Sequence, residues 1–297
     1  MGRHVSIHCI TYRHERFLGE AIDSVLAQDH DDWELVIAED GSDDGTLAVA
    51  RDYERRHPDR IRVLAYRHRG DIGKVTFADS FTHCRGDYIA NIDGDDLWTD
   101  PGKLRRQIEI LESAPELAGT FHDMALLREG RVRGSLGPRR SRRFDELDMV
   151  RGVHLSRSSA MFRGGLVDEL PVDYFDERLH NGDMLEFLLF ARCGPLAFDP
   201  TIAGAYRQHG NNLWSGRSKA DQMELNMGSR RVFRAMFPGD YDLEIDRYLR
   251  LRAPALAGLH LMGLRPVAAA RALVELFAPQ RVQLDPEAER PVVERVL

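Results

Sequence analysis

An α/β fold with a doubly wound, mostly parallel central sheet is what this sequence predicts, and three observations carry the prediction. Short apolar runs at residues 5–10, 33–38, 61–66 and 88–92 have the length and composition of buried strands. Between them the apolar residues recur at helical spacing, as Phe17, Ala21, Ile22, Val25 and Leu26 do after the first run. Three of the runs end at polar or acidic residues, Thr11, Asp40 and Asp93. Parallel strands gather such ends on one sheet edge, where open α/β sheets bind ligands.

The first run closes at Thr11-Tyr12-Arg13-His14 and leads into a helix. The second closes at Glu39-Asp40-Gly41-Ser42-Asp43-Asp44-Gly45-Thr46, where glycines 41 and 45 permit a sharp turn and Ser42 or Asp43 suits a helix N-cap. A helix over 46–55, a strand over 61–66 and a helix over 72–83 follow. The fourth run, within Gly-Asp-Tyr-Ile-Ala-Asn-Ile-Asp-Gly-Asp-Asp-Leu-Trp at 86–98, delivers Asp93, Asp95 and Asp96 just past its carboxyl end. Carboxylates so close together repel unless water or a hard cation such as Mg²⁺ or Mn²⁺ compensates them. A solvated turn ahead of the helix near Pro101 is the plainer account of the same residues.

That helix carries Leu104, Ile108 and Leu111 on one face and is stopped by Pro115. A strand over 120–127 comes next. Residues 128–143 then hold seven arginines against one glutamate, with three glycines and Pro138, and read as an exposed hairpin or loop. Their functional alternative is a flexible lid or an acceptor-facing surface pairing with phosphate or carboxylate. Residues 153–162 read as a strand, and Asn181-Gly182-Asp183 opens a helix with Asp183 where the helix dipole favours a carboxylate. Beyond Ser218 the apolar spacing is helical throughout, predicting three or four helices and a loosely held tail around Pro279, Pro286 and Pro291.

Composition narrows the function classes. A net charge of −7 over 297 residues argues against a nucleic-acid binder, whose phosphate contacts call for a basic surface. Cys9, Cys84 and Cys193 form neither a disulfide framework nor a zinc motif, which fits a reducing compartment. No apolar stretch approaches the length of a bilayer span and no leader is evident, so a cytoplasmic location is expected. Arg230, Arg231 and Arg234 leave peripheral association with the inner face of a membrane open, and the C-terminal helices also offer a homodimer face.

Val-Ser-Ile-x-Cys-Ile-Thr-Tyr at 5–12, Trp-Glu-Leu-Val-Ile-Ala-Glu-Asp-Gly-Ser-x-Asp-Gly-Thr at 33–46 and the 86–98 stretch, taken in order and spacing, resemble the family 2 glycosyltransferases. The resemblance covers roughly the first two thirds of the chain. It implies the Rossmann-like GT-A fold of nucleotide-diphospho-sugar transferases, with a catalytic domain over 1–217 and a helical extension over 218–297. Within the former, a nucleotide-sugar half spans about 1–112 and an acceptor half about 113–217.

The activity implied is inverting, metal-dependent transfer of a sugar from a nucleotide-diphosphate donor, with UDP-sugars as the expected donors and Mn²⁺ or Mg²⁺ as cofactor. The acceptor is unspecified: a saccharide, lipid-linked saccharide, peptide or natural product. By the same resemblance Asp40 meets the base, Thr11 lines the nucleotide pocket, and Tyr12 and Glu15 flank the base. Asp93, Gly94 and Asp95 hold the ribose and the metal-bound diphosphate, with Asp95 and Asp93 as metal ligands. A basic residue of 67–74, with Lys74 the candidate, contacts the nucleotide. Asp183 is the implied general base, Glu186 one turn on its reserve, although Met184 replaces the family's usual tryptophan. His209, within Tyr206-Arg207-Gln208-His209, completes the metal shell or holds the diphosphate.

The rival reading from another class is a non-catalytic nucleotide-sugar-binding or scaffold protein of the same fold. A phosphatase with an aspartate nucleophile fits poorly, because its Asp-x-Asp should follow the first strand rather than the fourth.

Overall fold

The computed structural model describes residues 3–68, 73–169, 182–210, 214 and 216–274. The chain divides into two compact units, the first comprising Met1–Asp145, His154–Leu170 and Leu189–Gln208, the second Glu146–Val153, Pro171–Leu188 and His209–Leu297.

In the first unit β1 (Val5–Thr11), α1 (Leu18–Leu26), β2 (Trp33–Glu39), α2 (Thr46–Arg56), β3 (Ile61–Ala65), α3 (Lys74–Phe81) and β4 (Tyr88–Asp93) alternate as expected. After β5 (Leu97–Trp98) and α4 (Lys103–Ser113) come β6 (Gly119–Arg128), β7 (Arg131–Ser135), β8 (Arg142–Phe144), β9 (Met161–Arg163) and β10 (Leu196–Gln208). The sheet runs β3-β2-β1-β4-β9-β6-β10-β5, with β7 on β6 and β8 on β10. β1 is parallel to both neighbours, with Ile7 opposite Leu35 of β2 and Ala90 of β4. This register brings Thr11, Glu39 and Asp93 to one edge. Antiparallel pairing enters at β9, which runs against β4 and β6, and recurs where β5 and β8 pair with β10 and β7 with β6.

Strand periodicity splits β1 into two different faces. Val5, Ile7 and Cys9 join the main core with Leu35, Ile37, Ala90 and Ile92, against Leu18, Ile22 and Val25 of α1 and Leu104, Ile108 and Leu111 of α4. The opposite face carries Ser6 and His8, both fully buried, and His8 lies edge-on to Phe77 and Phe81 of α3 at 5.2 and 5.4 Å. A polar residue at the centre of such a face must be hydrogen-bonded. Its partners prove to belong to the site.

The exposed hairpin expected of the arginine-rich segment is present, and one other stretch differs from expectation. The arginine-rich segment is strand at both ends: Glu129 and Gly130 take positive φ of 51° and 70°, the turn geometry that matches strand twist, so β7 folds back on β6. Of residues 153–162, only the end is strand. Arg157–Ser159 form a 3-10 turn, and the site explains why.

The second unit contains α5 (Glu146–Arg151), the opening of α6 (Gly182–Cys193), α7 (Lys219–Met236), α8 (Asp242–Met262) and α9 (Pro266–Val274). It thus takes in α5 and part of α6 as well as the helices after Ser218. At its centre the fully buried Arg230 donates to the carbonyls of Val150, Met149 and Asn226 and lies 4.3 Å from the Tyr248 ring. Burial pulls its guanidinium down to about 10. Arg234 pairs with Asp242 and Asp246. These two α7 arginines are therefore internal ties and not the membrane-facing group suggested by sequence. The tail around Pro279, Pro286 and Pro291 lies outside the described residues.

Candidate active site

The end of β2 is a tightly wired turn. Glu39, 1% exposed, accepts the amides of Gly41 at 3.2 Å and Ser42 at 2.7 Å, while the Asp40 amide donates to the Thr11 carbonyl at 3.0 Å. Gly41 has a φ of +69°, and a Cβ there would lie 2.4 Å from the backbone nitrogen of His68. Only glycine permits this approach. It brings the His68 ring to Asp40, with Nδ1 2.8 Å from Oδ2. Thr76 donates its hydroxyl to the other carboxylate oxygen. Tyr12 stacks on His68 with ring centroids 4.3 Å apart and 12° between planes, a ready platform for a flat ligand.

Among the expected nucleotide contacts, Thr11, Tyr12 and Asp40 are brought together here. Glu15 is engaged elsewhere: it accepts the Gly45 amide at 3.0 Å, at the start of α2. The Lys74 side chain lies outside the described residues. Within 67–74 it is His68 that meets Asp40, a residue the sequence reading did not single out.

The end of β4 is different. Asp93 accepts from Arg157 at 3.1 Å and from the Ser158 hydroxyl at 3.4 Å, and its own amide donates to Ser158 Oγ at 3.0 Å. Asp96, 1% exposed, accepts from the Ser158 hydroxyl at 2.6 Å and from the Arg207 amide at 3.0 Å. Burial, then the charges of Asp95 and Asp93, hold its carboxyl well above the ordinary carboxylate range. Asp95 keeps a side chain 13% exposed, with His14 Nε2 3.6 Å away. Gly94 is obligatory, since a Cβ would meet Thr11 Oγ1 at 2.5 Å and His14 Nδ1 at 3.0 Å. His14 thus joins Thr11 to Asp95.

The two ends are linked behind the sheet edge. Ser80 donates to the Thr76 carbonyl at 2.6 Å, His8 Nε2 lies 2.7 Å from Ser80 Oγ, and Arg157 Nη2 lies 3.0 Å from His8 Nδ1. An arginine only donates, so Nδ1 accepts and the proton of a neutral His8 sits on Nε2. Burial, with Arg157 second, pushes this histidine well below its usual range and keeps it neutral. A 3-10 turn at 157–159 is what lets adjacent residues serve the same cluster, Arg157 on Asp93 and Ser158 on both Asp93 and Asp96.

Among the described residues no three His, Cys, Asp or Glu side chains form a metal cage. The donor set nevertheless fits Mg²⁺ or Mn²⁺, which take one or two carboxylates and complete their shells with water and substrate phosphates. Asp95, beside two further carboxylates, would be the first ligand and Asp93 the second. His209 belongs to the second unit, where it is partly buried. In that unit Asp183 accepts the Met184 amide at 2.9 Å in the first turn of α6. Glu186, the reserve base, is fully buried.

A mostly parallel sheet whose edge gathers an aromatic platform, a buried carboxylate and an aspartate cluster defines an α/β protein with a candidate ligand site at its strand ends. The family model described as glycosyl transferase family 2 matches residues 6–164. The chain belongs to that family.

The uncharacterized protein Rv1520 of Mycobacterium tuberculosis is 31% identical over 218 residues, covering 71% of this chain and 60% of that protein. The match thus spans less than two thirds of this relative's length. Among solved structures, S. aureus TarS 1-349 in complex with UDP-GlcNAc superposes with a TM-score of 0.62 at 14% identity, over 92% of this chain and 88% of that one. The mannosyltransferase PcManGT from Pyrobaculum calidifontis, in complex with GDP-Man and Mn²⁺, gives 0.60 at 18% identity, over 98% of this chain and 79% of that one. The fold is the GT-A fold expected from the sequence.

Proposed function

We propose that the protein is an inverting, metal-dependent glycosyltransferase that takes its sugar from a nucleotide diphosphate, with UDP-sugars as first candidates. The observation that carries this reading is the division of labour at the sheet edge: a platform with a buried carboxylate for the base, beside a cluster of three aspartates. Membership of the family and the nucleotide-sugars bound by TarS and PcManGT support it.

Tyr12 and His68 would stack on or border the base and Asp40 accept from it. Asp95 and Asp93 would hold Mn²⁺ or Mg²⁺, whose chemistry is to neutralise the departing diphosphate. Arg157 holds and aims Asp93, and Ser158 bridges Asp93 and Asp96. Inversion needs a base to remove the acceptor's proton as the new bond forms. That work falls to Asp183, which is partly exposed at its helix start, ahead of Glu186, which is enclosed.

The test is release of nucleoside diphosphate from a panel of nucleotide-sugars by the native protein and by Asp183→Asn. Donor affinity and melting temperature should survive the substitution while kcat falls about 10²-fold. Binding without turnover in the native protein, across donors and a broad acceptor panel, would instead favour the scaffold reading. A less stable variant with normal specific activity would make Asp183 a helix cap.

A further inference from the structure

From Arg247 to Val274 the chain has five arginines and neither aspartate nor glutamate, in a protein of net charge −7. This segment is most of α8 and all of α9. Helix α8 is apolar on two faces, a pattern that ordinarily signals burial on both sides. One face is buried within the second unit through Ile245, Tyr248, Leu249, Ala253, Leu256 and Ala257. The other exposes Leu251 at 65% and Met262 at 76%, the turn into α9 adds Leu264 at 89%, and the first turn of α9 adds Val267 at 68%. Leu251, Ala255, Gly258 and Met262 follow one another at helical spacing, so the exposed residues form a stripe. Arg250, Arg252 and Arg271 are exposed beside it and carry no ion pair among the described residues.

We propose that the α8–α9 hairpin is a membrane-surface docking element whose partner is an anionic lipid bilayer. The apolar stripe enters the boundary between headgroups and acyl chains while the arginines meet lipid phosphates, the arrangement of a helix lying in the interface. No described helix is long and apolar enough to cross a membrane, so the element lies on the surface rather than spans it. A second copy of the chain is the poorer occupant. Two-fold pairing of this face would set Arg250, Arg252 and Arg271 against their copies, and none of the three has an ion pair among the described residues to relieve it. The inference is independent of the transferase reading.

Flotation of the full chain with vesicles tests it, using equal parts phosphatidylcholine and phosphatidylglycerol against phosphatidylcholine alone. The native protein should float with the anionic vesicles only, and less at high salt. Leu261→Ser/Met262→Ser/Leu264→Ser should abolish flotation without lowering the melting temperature, since all three side chains are exposed. Arg250→Gln/Arg252→Gln/Arg271→Gln should weaken binding by about fivefold per arginine removed. Failure of the native protein to float, or flotation of both variants at the native level, would overturn the proposal. So would a native dimer that the serine variant converts to monomer while neither binds vesicles.

Discussion

The two acidic strand ends of the first unit use the same side chain for opposite electrostatics. Asp40, after β2, is 2% exposed and has both oxygens engaged, by His68 and by Thr76. The run after β4 crowds three carboxylates, with the Arg157 guanidinium held on Asp93 and His14 beside Asp95. One end is settled by the protein itself and suits the hydrogen bonds of a base. At the other, burial and the neighbouring charges of Asp95 and Asp93 make Asp96 favour its proton. Identical residues at equivalent strand ends thus differ in electrostatics through what surrounds them.

Substitutions should separate the two ends most clearly at the β4 side. Asp95→Ala should lower transfer by about 10³-fold, because charge stabilisation at the leaving diphosphate is lost. Its melting temperature without ligands should hold or rise, since one of three mutually repelling carboxylates is gone. Initial rates and thermal melting of the same preparation read both effects. At the β2 end the loss should be milder and should fall on binding. Asp40→Ala should raise the nucleotide dissociation constant about tenfold, equivalent to about 1.4 kcal/mol, with kcat nearly unchanged. A kcat defect as large as that of Asp95→Ala would break the comparison.

The scaffold behind the ends predicts stability effects. Ser158→Ala removes the hydroxyl that serves Asp93 and Asp96 together and should cost about 1–3 kcal/mol in denaturant unfolding. The buried link gives the gentlest signal. His8 is held well below its usual range, and burial takes His122 down to about 3 from the ordinary 6.5. Each is neutral when folded and protonates on unfolding, so its contribution is present above about pH 6.5 and is lost as pH falls below it. The slope is about 1.4 kcal/mol per pH unit for each histidine. His8→Gln can keep hydrogen bonds to Ser80 and Arg157 without titrating, and should reduce the slope by that amount. Chemical denaturation between pH 6.5 and 4.5 measures it.

Thr11, Asp40, Asp93 and Asp95 were legible in the sequence because strand and helix periodicities place successive strand ends on one edge. His68, Arg157 and Ser158 were not. They come from a loop and a 3-10 turn, where no period marks which face a residue takes. Arg157 and Ser158 reach Asp93 from 64 and 65 residues away. The strand expected over 153–162 failed for the same reason, since the hydrogen bonds that Ser158 makes to Asp93 and Asp96 hold the chain in a turn there. His14 stood in plain view beside Thr11, and the contact of Gly94 with both is the structural signal that ties it to Asp95. In the second unit, helical spacing foretold the helices but not which arginines they enclose. Arg230 looked like surface charge and is core.

The account rests on the aspartate run needing a cation that the nucleotide diphosphate shares. Titration calorimetry of UDP into the native protein, with Mn²⁺ and then with excess chelator, tests this most directly. Tight binding with Mn²⁺, its loss in chelator, and no response to Mn²⁺ in Asp95→Ala are the results expected. Equal UDP affinity with and without the metal in the native protein would contradict it.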